Sequence, residues 1–387
     1  MAIDSDALEL HRKLRGKIET KVKVNSASNK TLKLVYTPGV AAVSREIAKH
    51  PEESFSLTGR WNSIAIVSDG TRVLGLGNIG PEAAMPVMEG KAILFKQFGG
   101  VDAHPICISE KDEDGIVKIV KSLEPSFGAI NIEDVEVPKC LSIVERLQKE
   151  MNIPVFHDDQ HGTAVVTLAA LLNALKVVDK RIGKVKIVVA GSGSAGYGVT
   201  NILHEAGARN IIVVDSSGSL YVGRRDNMNH YKELIAAKTN KNIFKGNLEG
   251  ALDGADVFIG VSGKGGLLKG EWIRKMSKDP IVFAISNPDP EIMPDVAKRF
   301  GARIVATGRN DFPNQVNNQL VFPGFMRGIL DCGVRHIDQK LLHKVAVELA
   351  EHVKNPRPDK IVPTAFDRKV YRVVADAAGG CRLKIPL

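Results

Sequence analysis

Cysteine is scarce and unpaired in this sequence. Cys107, Cys140, Cys332 and Cys381 are scattered through 387 residues, without the short paired spacings of a zinc knuckle or a disulfide framework, so reduced and mostly buried thiols are expected. Aromatic residues make up only 5% of the chain. With basic residues spread out rather than clustered, that argues against nucleic-acid binding despite a formal net charge of +9. No apolar run approaches the roughly 18 residues a membrane span needs. The N-terminus, MAIDSDALELHRKLRGK, lacks the basic then apolar order of a signal peptide, so a cytoplasmic protein is expected. The positive excess instead suits anionic substrates and cofactors.

What the chain has in abundance is alternation of strand-like and helix-like stretches. Its length favours two domains, and 44% apolar with 25% charged residues describe an ordinary globular protein. After a polar helix and a loop, KVNSASNK, the segments SIAIVSDG and TRVLGLG read as strands joined by an Asp-Gly turn. A helix opened by Pro81 and carrying Lys91 should follow. Strand-like AHPICIS, FGAINIED and IPVFHDD then alternate with helical segments, up to the apolar helix TAVVTLAALLNALKVV. A second series begins with KVKIVVAG and continues through NIIVVDS, DVFIGVS, IVFAISNP and RIVATG. Such alternation implies parallel strands with crossover helices. The expected fold is α/β with two doubly wound domains. Residues 1–160 form a substrate and metal domain, 161–336 a Rossmann-type dinucleotide-binding domain, and 337–387 a helical segment for which packing back on the first domain is one option the sequence leaves open.

Two stretches match the dinucleotide glycine fingerprint: Gly75, Gly77 and Gly80, and again Gly191, Gly193 and Gly196. A cofactor turn also needs a buried strand before it, a helix after it and a second strand ending in an acid roughly 20 residues on. The second stretch has all three. VKIVVA precedes the loop Gly191, Ser192, Gly193, Ser194, Ala195 and Gly196, and NIIVVD ends on Asp215, so backbone amides at a helix start are set to meet a pyrophosphate. The first stretch follows a hairpin in this reading, has no such acid, and is expected to be a tight turn feeding a helix.

Glu133 and Asp134 end one expected strand, Asp158 and Asp159 another. If those strands are neighbours, the acids emerge together at the carboxyl edge where open sheets bind ligands, and an oxygen-only cluster suits magnesium or manganese. Alternatively these acids cap the following helices. His157 and His161 flank the second pair at a turn, where packing is expected rather than zinc ligation. Lys91 lies in an apolar run, where burial would lower its pKa toward the range of a general base, although periodicity alone equally allows a solvated surface lysine; Tyr36, before a Pro-Gly turn, reads as a packing residue. Asn287, Asn317 and Asn318 sit in loops beside the expected cofactor and are candidates to bond a carboxylate or the ribose.

YTPGVA, SDGTRVLGLGNIG, MEGKAILFKQFGGVDAHPICI, NIEDVEVP, FHDDQHGTA, ISNPDPEI and NNQLVFPG together resemble malic enzyme in its short prokaryotic form. The resemblance implies oxidative decarboxylation of malate to pyruvate with NAD or NADP and Mg2+ or Mn2+, in a homodimer. By matched motif it implies Tyr36 and Lys91 as catalytic acid and base, Glu133, Asp134 and Asp159 as metal ligands, and Asp158 as the acid that tunes the lysine. Arg72, Lys91, Asn287 and Asn317 or Asn318 would then hold the substrate. Asn78 stands where larger forms usually carry aspartate, and their effector sites are not expected here. Asp215 favours the free ribose of NAD, whereas Arg224 and Arg225 close behind suit NADP.

Overall fold

The computed structural model describes residues 2–24 and 28–383; the centre of the expected loop KVNSASNK, residues 25–27, lies outside them. The first sheet comprises β1 (Ser63–Ser68), β2 (Asp102–Cys107), β3 (Ala129–Ile132) and β4 (Val155–His157), ordered β2-β1-β3-β4 and parallel throughout. Alternation along β1 sorts its side chains by face. Ile64 and Ile66 join a core with Met88 and Phe95 of the helix Pro81–Gly99. Ala65 and Val67 join the other, with Val117 and Leu147 of the helices Glu113–Ser122 and Lys139–Glu150. Helices thus cover both faces of this sheet, as all-parallel sheets require.

β1 has neighbours β2 and β3 on its two sides, so the chain reverses its winding direction there. Loops after β1 and β3 flank the resulting crevice, the position where doubly wound sheets bind ligands.

The second sheet comprises β5 (Lys186–Ala190), β6 (Asn210–Asp215), β7 (Gly218–Ser219), β8 (Val257–Gly260), β9 (Ile281–Ala284) and β10 (Ile304–Thr307), in the order β10-β9-β8-β5-β6-β7. Only β7 runs antiparallel, against β6. Its winding reverses between β5 and β8, which places the loops starting at Gly191 and Val261 side by side.

The helix Thr163–Val177 is buried over nearly its whole circumference, as an all-round apolar helix must be, and belongs to a core shared by the two sheets. The tail helices Gln339–His352 and Lys369–Gly379 pack on it and on Phe322–Cys332. Tyr371 of the second also stacks on Phe98 of the helix Pro81–Gly99, with ring centroids 4.6 Å apart.

Two expectations fail. TRVLGLG is not a strand: both sides of β1 are taken by parallel neighbours, leaving no edge for a hairpin partner. Instead the segment closes a tight loop, in which Val73 N–H bonds the Gly77 carbonyl at 2.9 Å and the Gly80 N–H bonds that of Gly70 at 3.2 Å. Gly70 and Gly80 have φ of +68° and +83°, and a Cβ on Gly70 would lie 2.2 Å from the Gly80 oxygen. The cysteines are not all reduced either. Cys332 and Cys381, with Cα atoms 5.6 Å apart, form a disulfide, which joins the end of one helix to a residue just past another across 49 positions of sequence, a pairing no local spacing announces.

Candidate functional site

A cleft of about 600 Å³ opens between the carboxyl edges of the two sheets. β3 and β4 are paired neighbours, so Glu133 and Asp134 after one and Asp159 after the other converge there. Oxygens of these residues lie within 4.8 Å of one another. Asp134 holds a left-handed φ of +52°, unusual for a residue with a side chain, and its carbonyl accepts a bond from the Arg72 N–H at 3.0 Å. Such backbone strain, about 1–3 kcal/mol, tends to persist where a side chain must be aimed. Asp158 and Asp159 sit in a single widened π turn, Asp158–Gly162, a feature often found at functional sites. Gly162 makes room in this turn, since a Cβ there would stand 2.0 Å from Asp158 Oδ1.

Lys91 projects from the helix Pro81–Gly99 into this cluster. Its Nζ donates to Glu133 Oε1 at 2.5 Å and Asp158 Oδ2 at 2.6 Å and lies 4.7 Å from the centre of the Phe322 ring. Glu133 is fixed from behind by Asn131 Nδ2, which donates to its Oε2 at 2.8 Å. Burial works to lower the Lys91 pKa, but the charges of Asp158, Glu133 and Asp159 outweigh it, and the pKa is raised. The expected drop toward a base's range is therefore not found; burial was only one of the influences. The acids feel the complementary effect. Burial, with repulsion from Asp159, pushes Asp134 up to about 7 and Asp158 up to about 6, and Glu133 is raised too. Lys91 alone does not balance the cluster.

Among the described residues, the buried carboxylate oxygens Asp134 Oδ2 and Asp158 Oδ1 have no hydrogen-bond partner. Elevated acids, an unpartnered carboxylate oxygen and an all-oxygen donor set fit a hard divalent cation held by Glu133, Asp134 and Asp159. His157 and His161 are buried and bonded to local backbone amides. Burial lowers both pKa values, that of His161 to about 3, so they are neutral packing residues.

Across the cleft, the helix Ser194–Glu205 starts at the second glycine loop. Gly191 takes φ +116°, and Cβ atoms on Gly191 and Gly196 would lie 2.6 Å from the Val261 carbonyl and 2.0 Å from that of Gly191. Gly193, Ser194 and Ala195 line the cleft. So do Arg72, Asn287, Asn317 and Asn318. Arg72 bridges the domains: a Cβ on Gly193 would stand 3.4 Å from one of its guanidinium nitrogens. The first glycine loop is structural, with Gly75 packed so closely on Pro288 that a Cβ would lie 2.8 Å from it.

Asp215 ends β6 as expected, yet its oxygens are already engaged, by Arg224 and Lys232 at 2.8 Å each. Burial raises its pKa, but the bonds from Lys232 and Arg224 outweigh it, and the net shift is downward. Tyr36 is not brought to the cleft; it is 72% exposed and absent from the lining residues. Sequence reasoning passed over Asn131, Lys17, Phe322 and Lys232. Asn131, a polar residue inside an apolar strand, carried a usable signal.

Residues 160–370 match the malic enzyme NAD binding domain, and residues 15–114 the malic enzyme N-terminal domain. The chain belongs to the malic enzyme family. It is 49% identical to the bifunctional malic/malolactic enzyme of Bacillus subtilis, across 97% of this chain and 92% of that one. Identity to an NADP-dependent malic enzyme of Salmonella typhimurium is 42%, across 97% of this chain and 52% of the relative. Among solved structures, an NAD-dependent malic enzyme from Thermotoga maritima superposes with a TM-score of 0.94 at 53% identity, covering 97% of this chain and 99% of that one.

Proposed function

We propose that this malic enzyme family member oxidatively decarboxylates L-malate to pyruvate and carbon dioxide with NAD or NADP, depends on Mg2+ or Mn2+, and decarboxylates oxaloacetate as a partial reaction. The observation that carries this reading is Lys91 in a carboxylate cluster, facing Arg72 and the glycine loop across one cleft. Arg72 and the asparagines Asn287, Asn317 and Asn318 hold the substrate carboxylates. Lys91 takes the proton of the malate hydroxyl and returns one later; Asp158 beneath it keeps its amine aimed. A divalent cation on Glu133, Asp134 and Asp159 would polarise the substrate carbonyl and draw from Lys91 the negative charge that keeps it protonated. The dinucleotide, seated on Gly191, Ser192, Gly193, Ser194, Ala195 and Gly196, would accept the hydride. Residues 1–160 serve substrate and metal, 161–336 the dinucleotide, and 337–387 brace both. Asp215 engaged by Arg224 and Lys232 favours use of both dinucleotides, because two cations beside one acid offset its repulsion of an added phosphate.

Tyr36 protonates the carbon that carbon dioxide leaves, and we infer that it does so from a second copy. The helices Asn29–Val35, Val40–Lys49 and Ser54–Leu57 bury no residue, and Leu34, Val35 and Tyr36 at the end of the first are all exposed. Unburied helices with exposed large apolar residues suit an interface, and a twofold homodimer is the commonest way to cover one. Nicotinamide absorbance with malate and Mn2+, with each dinucleotide and with or without chelator, tests the activity; no reduction under any condition refutes it. Mixing inactive Tyr36→Phe and Lys91→Ala dimers tests the assembly. Exchange should restore about a quarter of the wild-type rate if the tyrosine acts across the dimer, and none if it acts within one chain.

A further inference from the structure

The loops after β8 and β9 both line the cleft, through Val261 and Gly263 in one and Ile285, Ser286 and Asn287 in the other. Between them sits Glu291, 0% exposed and outside the roles assigned so far. Its Oε1 accepts from the Ser262 N–H at 3.0 Å, from Ser262 Oγ at 2.9 Å and from Ser286 Oγ. Its Oε2 accepts from the Ser286 N–H at 3.2 Å. Each serine hydroxyl, having donated to the carboxylate, accepts a backbone amide: Gly263 N–H reaches Ser286 Oγ at 2.8 Å, and Lys264 N–H reaches Ser262 Oγ at 3.1 Å. Every donor in this net has an acceptor. Gly260 at the end of β8 leaves space for it, since a Cβ there would lie 2.3 Å from the Glu291 carboxyl carbon.

This position calls for a hydrogen-bond acceptor at both oxygens. Four donors converge on it, and a neutral amide would turn an NH2 toward one of them, leaving two donors face to face. We propose that Glu291 is a positioning residue that locks the loop after β8, on the dinucleotide side, to the loop after β9, which carries Asn287 on the substrate side. The inference rests on the malic enzyme reading for the identity of the two ligands. One side chain thereby sets the distance between the hydride acceptor and the carbon that gives the hydride, and misplacement of about 1 Å at such a contact costs on the order of 10²-fold in rate.

The test uses the full chain with Glu291→Gln, Ser286→Ala and Ser262→Ala, each first checked for a cooperative thermal transition. Ser286→Ala retains the carboxylate and most of its donors, so it serves if Glu291→Gln does not fold. Readouts are malate KM and kcat, NADH binding by nicotinamide fluorescence, and binding of AMP, which lacks the nicotinamide half. Expected are a fall of about tenfold or more in kcat/KM for malate in Glu291→Gln, a smaller fall in Ser286→Ala, weakened NADH binding and unchanged AMP binding. Folded variants with unchanged malate KM, kcat and NADH binding, and only a lowered melting temperature, would overturn the proposal. Wild-type protein that turned over no malate would defeat the functional reading instead, and the comparison of NADH with AMP would still decide the role of Glu291.

Discussion

Gly198→Ala should damage both stability and activity, although a glycine-to-alanine change inside a helix ordinarily stabilises by about 1 kcal/mol. Gly198 lies buried in the helix Ser194–Glu205, where that helix crosses the π turn Asp158–Gly162. A Cβ there would stand 2.1 Å from the Gln160 carbonyl oxygen and 2.9 Å from its carbon. Ordinary contact begins at 3.4 Å, so one of two backbones must move by more than an ångström, and neither is the free end of a side chain. Overpacking of this kind costs about 1–3 kcal/mol, and rigid partners put this case at the upper end, above the propensity gain. The melting temperature should fall by a few degrees, at about 2–4 °C per kcal/mol for a chain domain of this size. Gln160 directly follows Asp159, so the same displacement moves a carboxylate of the cleft, and kcat/KM for malate should fall on the order of 10²-fold. Gly183→Ala is the control, because its Cβ would meet nothing nearer than 3.5 Å. Wild-type melting and kcat/KM in Gly198→Ala would refute the steric argument.

Mn2+ should raise the melting temperature of the wild type, by the equivalent of about 2.7 kcal/mol at a hundred times its dissociation constant, and do little for Asp159→Ala; calorimetry with and without metal decides. Asp215 is held below its ordinary value of 3.8, so the unfolded chain takes up its proton first and the stabilisation is present above that value and lost as pH falls through the native one. Asp215→Asn should therefore melt below the wild type at neutral pH, with the gap closing in acid, and a gap that widened in acid would contradict the ion pairs. Lys232→Ala should lower kcat/KM for NADP more than for NAD; equal losses would remove Lys232 from the choice between them.

Much of this was legible because buried parallel strands read as continuous apolar runs: FGAINIED and IPVFHDD became β3 and β4, and the adjacency that the sequence left as a condition is met by their pairing. TRVLGLG deceived for a physical reason. Leu74 and Leu76 have an apolar strand's composition but are 66% and 68% exposed, and composition does not report which surface a loop leaves open. The pKa of Lys91 was misjudged because burial can be guessed from neighbours in sequence, whereas the carboxylates that reverse its effect stand 42 and 67 positions away.

The duplicated glycine fingerprint unites these cases. Both copies are tight turns that follow a strand at a reversal of winding and feed the start of a helix, which is why the same spacing recurs. They differ in what lies opposite. At Gly191 the neighbouring strand ends in Asp215 and the helix start faces open cleft, so the turn can receive a ligand. At Gly75 the turn is filled by Pro288 of the other domain, and what it delivers to the cleft is Arg72 before it and Lys91 behind it. A local motif specifies the turn; the chain packed against it determines whether the turn binds a ligand or aims a side chain.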